Sequence, residues 1–320
     1  MTLTFHSGAL SSSFPATRTL LVSAKIKDTE AVRRRLALRK VDRELSKRNY
    51  KAALTLVKQL QGKPGGLRGF GAAKQVPRRM SSLDQLKPSG VDTSSLQSLV
   101  DSILDSFKRS IEFQQSEEVS LSELESLTRE GSHESFSEDH LMCMQHEAGH
   151  FLVGYLLGAL PKRYFLSNTE TLTRDGLVGG GIEFMGFEFL GEVDTVGILE
   201  KNLSRPKPRA GIDRGKISLT TLNRFSCTIL GGLVAEHLVF GYSPGLHGDV
   251  EKLNSVLQWM GFEESEVDSH LKWAVINTVL ILVRHQEARS RLAESMGLAK
   301  SVGSCIAVIE DTLNGNELQT

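Results

Sequence analysis

The apolar positions of this chain recur mostly three and four residues apart, the period of helices with one buried face. Leu96, Leu99, Val100, Ile103, Leu104, Phe107 and Ile111 form one stripe, which predicts an amphipathic helix over 91–114 started by Asp92 and Thr93. Upstream, Val32, Leu36 and Leu45, then Tyr50, Ala53, Leu54 and Val57, keep the same spacing. They predict two short helices joined near 47–49, a hairpin over 28–62. Downstream, Leu141, Met144, Ala148, Leu152 and Tyr155 give one face of a helix that opens at Ser135-Phe136-Ser137-Glu138 and runs to about Gly158, ahead of Pro161. Phe151, Val153, Leu156 and Leu157 make its other faces apolar, so this helix is mostly buried.

Two further helices flank a Gly/Pro/His loop: Leu230, Leu233, Val234, Leu238 and Val239 pattern the first, and Leu253, Val256, Leu257 and Met260 the second. The run Trp273–Val283 predicts a buried core helix, too short to cross a membrane and interrupted by Asn277 and Thr278. Strand-like residues concentrate in "GLVGGGIEFMGFEFLGEVD", where Ile182, Phe184, Phe187 and Phe189 lie near glycine clusters and predict a β-hairpin. The expected fold class is therefore mostly α, with a small β-hairpin or sheet beside the 137–158 helix and a helical N-terminal extension.

Charge divides the chain further. Net charge is zero over 320 residues, yet residues 1–90 carry 19 Lys/Arg against 5 Asp/Glu, and residues 91–140 carry 3 against 12. The basic start makes 28–62 a basic hairpin. It makes the Gly-rich 63–90, which lacks the P-loop order, a flexible basic linker. The Ser-rich acidic stretch over 115–136 reads as a second linker. Residues 1–27 contain no acidic residue and are rich in Ser and Thr, the composition of an organelle transit peptide, which predicts a chloroplast location, or alternatively a mitochondrial one. Cys143, Cys227 and Cys305 are too few and too scattered for a disulfide framework, which suits a reducing compartment. No aromatic residues interleave with the basic ones in the manner of a base-stacking platform, so no nucleic-acid partner is expected.

The chemistry gathers in "HLMCMQHEAGHFLVGYLLGALP", where His146 and His150 stand four residues apart with Glu147 between them. With 9 His in the chain, an accidental HExxH is expected about 0.02 times. Residues one helical turn apart point the same way, so both imidazoles can reach one zinc ion, while Glu147 sits about 100° around the helix, placed to act as a general base. Gly149 costs roughly 1 kcal/mol of helix propensity and needs a packing reason. Cys143, three residues before His146, reads as a small core residue. A third ligand must come from elsewhere. Asp249, at the start of the last-mentioned helix, can be that ligand or a plain cap.

"HEAGH", then "LGGLVAEHLVFG", then "GDVEKLNSVLQWMGF" together resemble the peptidase domain of FtsH-type zinc metalloproteases, from about Glu138 to the C-terminus. The resemblance implies an FtsH-like metallopeptidase domain over 137–320, one Zn2+ per chain on His146, His150 and Asp249, and Glu147 as the base. Glu236 becomes a candidate to orient a ligand. The implied activity is a zinc metalloendopeptidase acting on protein or peptide substrates, with a strand near the metal available to extended substrate. The chain departs from the pattern at His237 (usually Glu), at Leu233 (usually Arg) and at His247-Gly248, where His247 is an extra ligand or a loop residue. FtsH-type enzymes carry an ATPase, and the first 140 residues hold no Walker A sequence. Such a protein would act without ATP, borrow an unfoldase or join an FtsH-type complex. The alternative is a non-proteolytic scaffold or partner subunit that keeps the zinc fold.

Overall fold

A computed structural model describes residues 16–78, 93–116, 133–166, 179–195, 217–243 and 247–315, with side chains from Thr29 onward and excluding Thr93, 113–116, 133–137, His247 and 314–315. Among these residues the fold is mostly α with one two-stranded antiparallel sheet, as the spacing predicts. The elements are α1 (Ala16–Ser46), α2 (Tyr50–Leu60), α3 (Thr93–Ser116), α4 (His133–Leu156), β1 (Pro161–Leu166), β2 (Gly180–Phe184), α5 (Leu219–Ile229), α6 (Gly231–Phe240), α7 (His247–Trp259), α8 (Glu264–Arg284), α9 (Gln286–Gly297) and α10 (Val302–Gly315). No helix among them is long and apolar enough to cross a membrane.

The helix α4 that carries HExxH lies at the centre, packed by α5, α6, α8, α9 and both strands. Its apolar residues on every face are the reason: Ala148, Phe151, Leu152, Val153 and Tyr155 are all fully buried. It ends where Gly158 adopts φ +84 and Ala159 N–H reaches back to Gly154 O at 2.8 Å, a glycine stop that turns the chain into β1. On α3 the expected stripe buries Val100, Ile103 and Phe107.

At the N-terminus, α1 and α2 pair as the expected hairpin, reversing at 47–49, where Arg48 has φ 58. Two features differ from expectation. Helix α1 starts at Ala16, inside the stretch read as a transit peptide, whose first 15 residues lie outside those described. Val32 and Leu36, expected to face the core, are 53% and 52% exposed, and Leu38, Val41 and Leu45 are buried instead. The three apolar residues and Arg34, which pairs with Asp311 on α10, set the rotation of the helix. The hairpin is no separate unit, because Asp42 also accepts from Gly303 N at 2.7 Å.

The flexible linker expected over 63–90 is corrected for 63–78. This segment is an ordered strap across α4, α8 and α10. Glu310, wholly buried on α10, accepts from Arg68 N at 2.8 Å, Gly69 N at 2.7 Å and the Tyr155 hydroxyl at 2.6 Å. Ala73 N donates to Leu156 O, Val76 N to Asn277 Oδ1, and Trp273 Nε1 to Val76 O. The glycines serve close approach: a Cβ on Gly69 would stand 2.6 Å from Leu313. Residues 79–90 and the second linker over 117–132 lie outside those described.

The hairpin is corrected as well. Among the described residues β2 pairs with β1, in the register Arg163↔Glu183 to Leu166↔Gly180, and not with another part of the 179–194 stretch. After β2, Gly186 at φ +94 turns the chain, and Phe187 and Phe189 pack on Phe225 with ring centroids 5.4 Å away. Those two aromatics are core anchors for a short helical turn over 190–195. Strand β1 escapes periodicity because it is six residues long and opens Pro-Lys-Arg.

Candidate metal centre

Helices α4 and α6 touch backbone to backbone, and glycine makes this contact. A Cβ on Gly149 would fall 2.2 Å from Gly231 O, and a Cβ on Gly232 would fall 2.4 Å from the His146 ring. The packing reason that Gly149 requires is thus the approach of "GGLVAEH", which brings Glu236 under the first histidine.

Three donor atoms converge. His146 Nε2 lies 2.9 Å from His150 Nε2 and 3.0 Å from Asp249 Oδ2, and His150 Nε2 lies 2.8 Å from the same oxygen. They form the one three-residue cluster with metal-ligand spacing among the described residues. The other nitrogen of each ring is already committed. His150 Nδ1 is 2.7 Å from the carbonyl oxygen of Thr228, which only accepts, so Nδ1 carries the proton. His146 Nδ1 is 2.8 Å from Glu236 Oε1, and a carboxylate imposes the same tautomer. In the neutral rings, two nitrogen lone pairs and a carboxylate oxygen therefore face one another at contact distance. That arrangement repels itself unless a cation or a proton sits among the three. The donor set, two imidazoles and one carboxylate, fits zinc.

The electrostatics agree. Burial disfavours a charged His146, but hydrogen bonds to Asp249 and Glu236 outweigh it and push the ring up to about 10. Burial would raise Asp249, yet the imidazoles, His150 foremost, hold it well below the usual carboxylate range. Without a metal the cluster thus recruits a proton in place of a cation. Asp249 stands in the first turn of α7, its Oδ1 3.5 Å from Lys252 Nζ, and its other oxygen is turned to the rings instead of capping the helix.

A cleft of about 720 Å³ opens over the cluster, lined by Glu147, Cys143, β2 from Gly180 to Phe184, Phe225 and Lys252. Glu147 is buried, its Oε2 has no hydrogen-bond partner, and burial pushes its carboxyl up. Gly180 lies directly on it, since a Cβ there would stand 2.7 Å from Glu147 Oε1. Cys143 is a buried thiol pushed up to about 12 by burial and by Glu147 and Glu236, so it stays protonated and lies outside the donor cluster.

All five expected site residues are brought together here: His146, Glu147, His150 and Asp249 around the cleft, and Glu236 behind His146. The departures from the resembled pattern fall outside the donor cluster where they are described. His237 faces α3, its Nε2 3.1 Å from Ser106 Oγ, and burial lowers its pKa. Leu233 lines a small void beside Glu236. The His247 side chain lies outside those described. Sequence reading missed Thr228, whose contribution is a carbonyl and so independent of residue type. It also missed Ser243, which donates to the second oxygen of Glu236 and sits in an unpatterned loop.

Searched against protein-family models, curated proteins and solved structures, the chain matches none.

Replacing Glu236 by Ala frees the His146 ring and leaves Ser243 facing a buried void. Zinc affinity, read by competition with a chromogenic chelator, is expected to fall roughly 10- to 100-fold, with Glu236→Gln losing less because its amide oxygen still accepts from Nδ1. Unchanged affinity in both variants would remove Glu236 from the site.

Proposed function

We propose that this protein is a zinc-dependent metalloendopeptidase. The observation that carries the reading is the convergence of His146 Nε2, His150 Nε2 and Asp249 Oδ2 within 3.0 Å of one another, with both Nδ1 protons fixed away from the cluster. Those three residues would hold the metal. Zinc, when bound, supplies Lewis acidity toward a carbonyl oxygen and a lowered pKa for water.

The chain's own residues supply the rest. Glu147 borders the same cleft with one carboxylate oxygen unengaged, so it takes a proton from water and returns it to the departing amine nitrogen. Strand β2 has β1 on one side only among the described residues, and it lines the cleft from Gly180 to Phe184. Its other side offers backbone groups to an extended peptide, which lays a scissile bond across the cluster. No residue here hydrolyses ATP in this reading, so folded substrates need an unfoldase, and unfolded chains or peptides are cleaved directly. The acid-free N-terminal segment supports a chloroplast location in the same proposal, with the mitochondrion as the alternative.

The test is metal content and digestion together. The purified protein is expected to hold about one zinc per chain, to digest an unfolded protein such as casein, and to lose both properties as His146→Ala. A zinc-loaded chain that captures casein without cutting it would establish the scaffold alternative, and a chain with no zinc would end both readings.

Stability against pH gives an independent check. In the metal-free chain, the raised His146 stabilises the fold below its ordinary pKa of about 6.5, and this is lost as pH rises through about 10. The depressed Asp249 contributes above its ordinary range and is lost as acid protonates it. Zinc competes with protons for the imidazoles, so the stabilisation it adds should grow from pH 5 to pH 8, the opposite slope to His146 alone. Thermal unfolding with and without chelator measures both slopes, and a zinc increment that shrank with rising pH would contradict imidazole ligation.

A further inference from the structure

Among the described residues, helix α1 shows solvent a face that its packing does not use. At 100° per residue, Val32, Leu36, Arg39 and Arg43 lie along one line of the helix, with Arg33, Lys40 and Lys47 on one flank and Arg35 on the other. All eight are exposed, and the two aliphatic residues are 53% and 52% so. The opposite side, Arg34, Leu38, Val41 and Leu45, is buried. Arg35 is tied to Asp311 at 3.0 Å and Lys47 to Glu44 at 3.5 Å. Arg33, Arg39, Lys40 and Arg43 have no ion-pair partner among the described residues. Of the acidic residues of this helix, Glu44 borders the Lys40 flank and is held by Asn49 at 2.8 Å, and Asp42 is held by Ser301 and Gly303. A groove of about 520 Å³ adjoins the face, where Lys40, Arg43 and Glu44 meet Ala52, Thr55 and Leu56 of α2.

We propose that this face of α1 docks the protein on an anionic lipid surface. The chemistry of the two parts is complementary to such a surface. Four unpaired cations match lipid phosphates, and their long stems let the charged ends stay at headgroup depth. Val32 and Leu36, in the middle of the cations, are placed to sink just below the headgroups, the arrangement of a helix that lies in an interface. A nucleic acid would match the cations, but no aromatic residue stands between Thr29 and Asn49 to stack on a base. The face lies after residue 27, and it is built from residues other than the zinc donors.

Co-sedimentation of the full chain with vesicles tests this directly. Binding is expected to vesicles of phosphatidylcholine mixed with phosphatidylglycerol, not to phosphatidylcholine alone, and to weaken as salt rises. The fourfold variant R33Q/R39Q/K40Q/R43Q should lose on the order of several hundredfold in partitioning, about fivefold per cation. The pair V32N/L36N, with every charge kept, should lose about tenfold. All these side chains face water, so thermal unfolding and zinc content should match the wild type and show that the variants fold. If V32N/L36N binds anionic vesicles as the wild type does, while polyuridylate binds both equally well, the face is a general polyanion patch and the proposal fails. Absence of wild-type binding to the anionic vesicles at low salt ends it outright.

Discussion

Replacing Glu147 by Gln is expected to leave zinc bound and to lower the turnover number for an unfolded protein by about a hundredfold to ten-thousandfold. Glutamine has the same shape, so Gly180 still packs on it and β2 keeps its place over the cleft. The donor cluster consists of His146, His150 and Asp249 and does not include Glu147, so metal content should stay at the wild-type level. What is lost is the ability to hold a proton at Oε2. A thousandfold loss corresponds to about 4 kcal/mol of transition-state stabilisation, too large for altered packing of a side chain whose volume is unchanged. KM should move little, since in the proposed reading strand backbone and not this carboxylate holds the peptide. The rate of the variant should also lose the acid limb that ionisation of a carboxylate gives the wild type. Retention of more than a tenth of wild-type turnover, with zinc present, would remove Glu147 from the role of base.

The donor residues were legible because helical spacing is rigid. His146 and His150 can hardly avoid sharing a side of α4, and the structure puts their Nε2 atoms 2.9 Å apart. Asp249 was harder. Its position at a helix start allows a cap or a ligand, and only the path of the chain between α4 and α7 decides which. That path depends on Gly149 meeting Gly231, a contact written by two small residues more than 80 positions apart, and periodicity carries no information about it. The strap over 63–78 was illegible for a related reason. Its glycines look like freedom in one dimension, but in three they admit backbone close to Leu313 and to the carboxylate of Glu310. The outward face of α1 was misread because Val32 and Leu36 fit a helical stripe. The salt bridge of Arg34 and the burial of Val41 select a different stripe, and that choice needs the partner helix α10 to be known.

The contact between α4 and α6 yields the largest expected loss of stability. Gly149→Ala sets two effects against each other. Alanine in a helix interior gains roughly 1 kcal/mol over glycine. Against that, its Cβ would stand 2.2 Å from Gly231 O, 2.7 Å from Gly231 C and 2.8 Å from Ala235 Cβ. The nearest obstacles are backbone atoms, which have no rotamer to escape into, so the helices themselves must part. Overpacking of this kind costs about 1–3 kcal/mol when side chains can yield, and backbone obstruction belongs at or above the top of that range. The clash wins. A net loss of roughly 2–3 kcal/mol should lower the melting temperature by roughly 3–6 °C in a chain of this size. Separation of α4 from α6 also draws Glu236 away from His146 Nδ1, so zinc should bind more weakly in the same variant, although residue 149 donates nothing to the metal. Gly191→Ala, where a new Cβ meets nothing within 4 Å, is the matched control and should melt at or slightly above the wild-type temperature. Scanning calorimetry on the two variants, with and without zinc, separates the contributions. If Gly149→Ala melts within a degree of the wild type and keeps full zinc affinity, the two helices are not held together through this glycine pair, and the placement of Glu236 under His146 needs another cause.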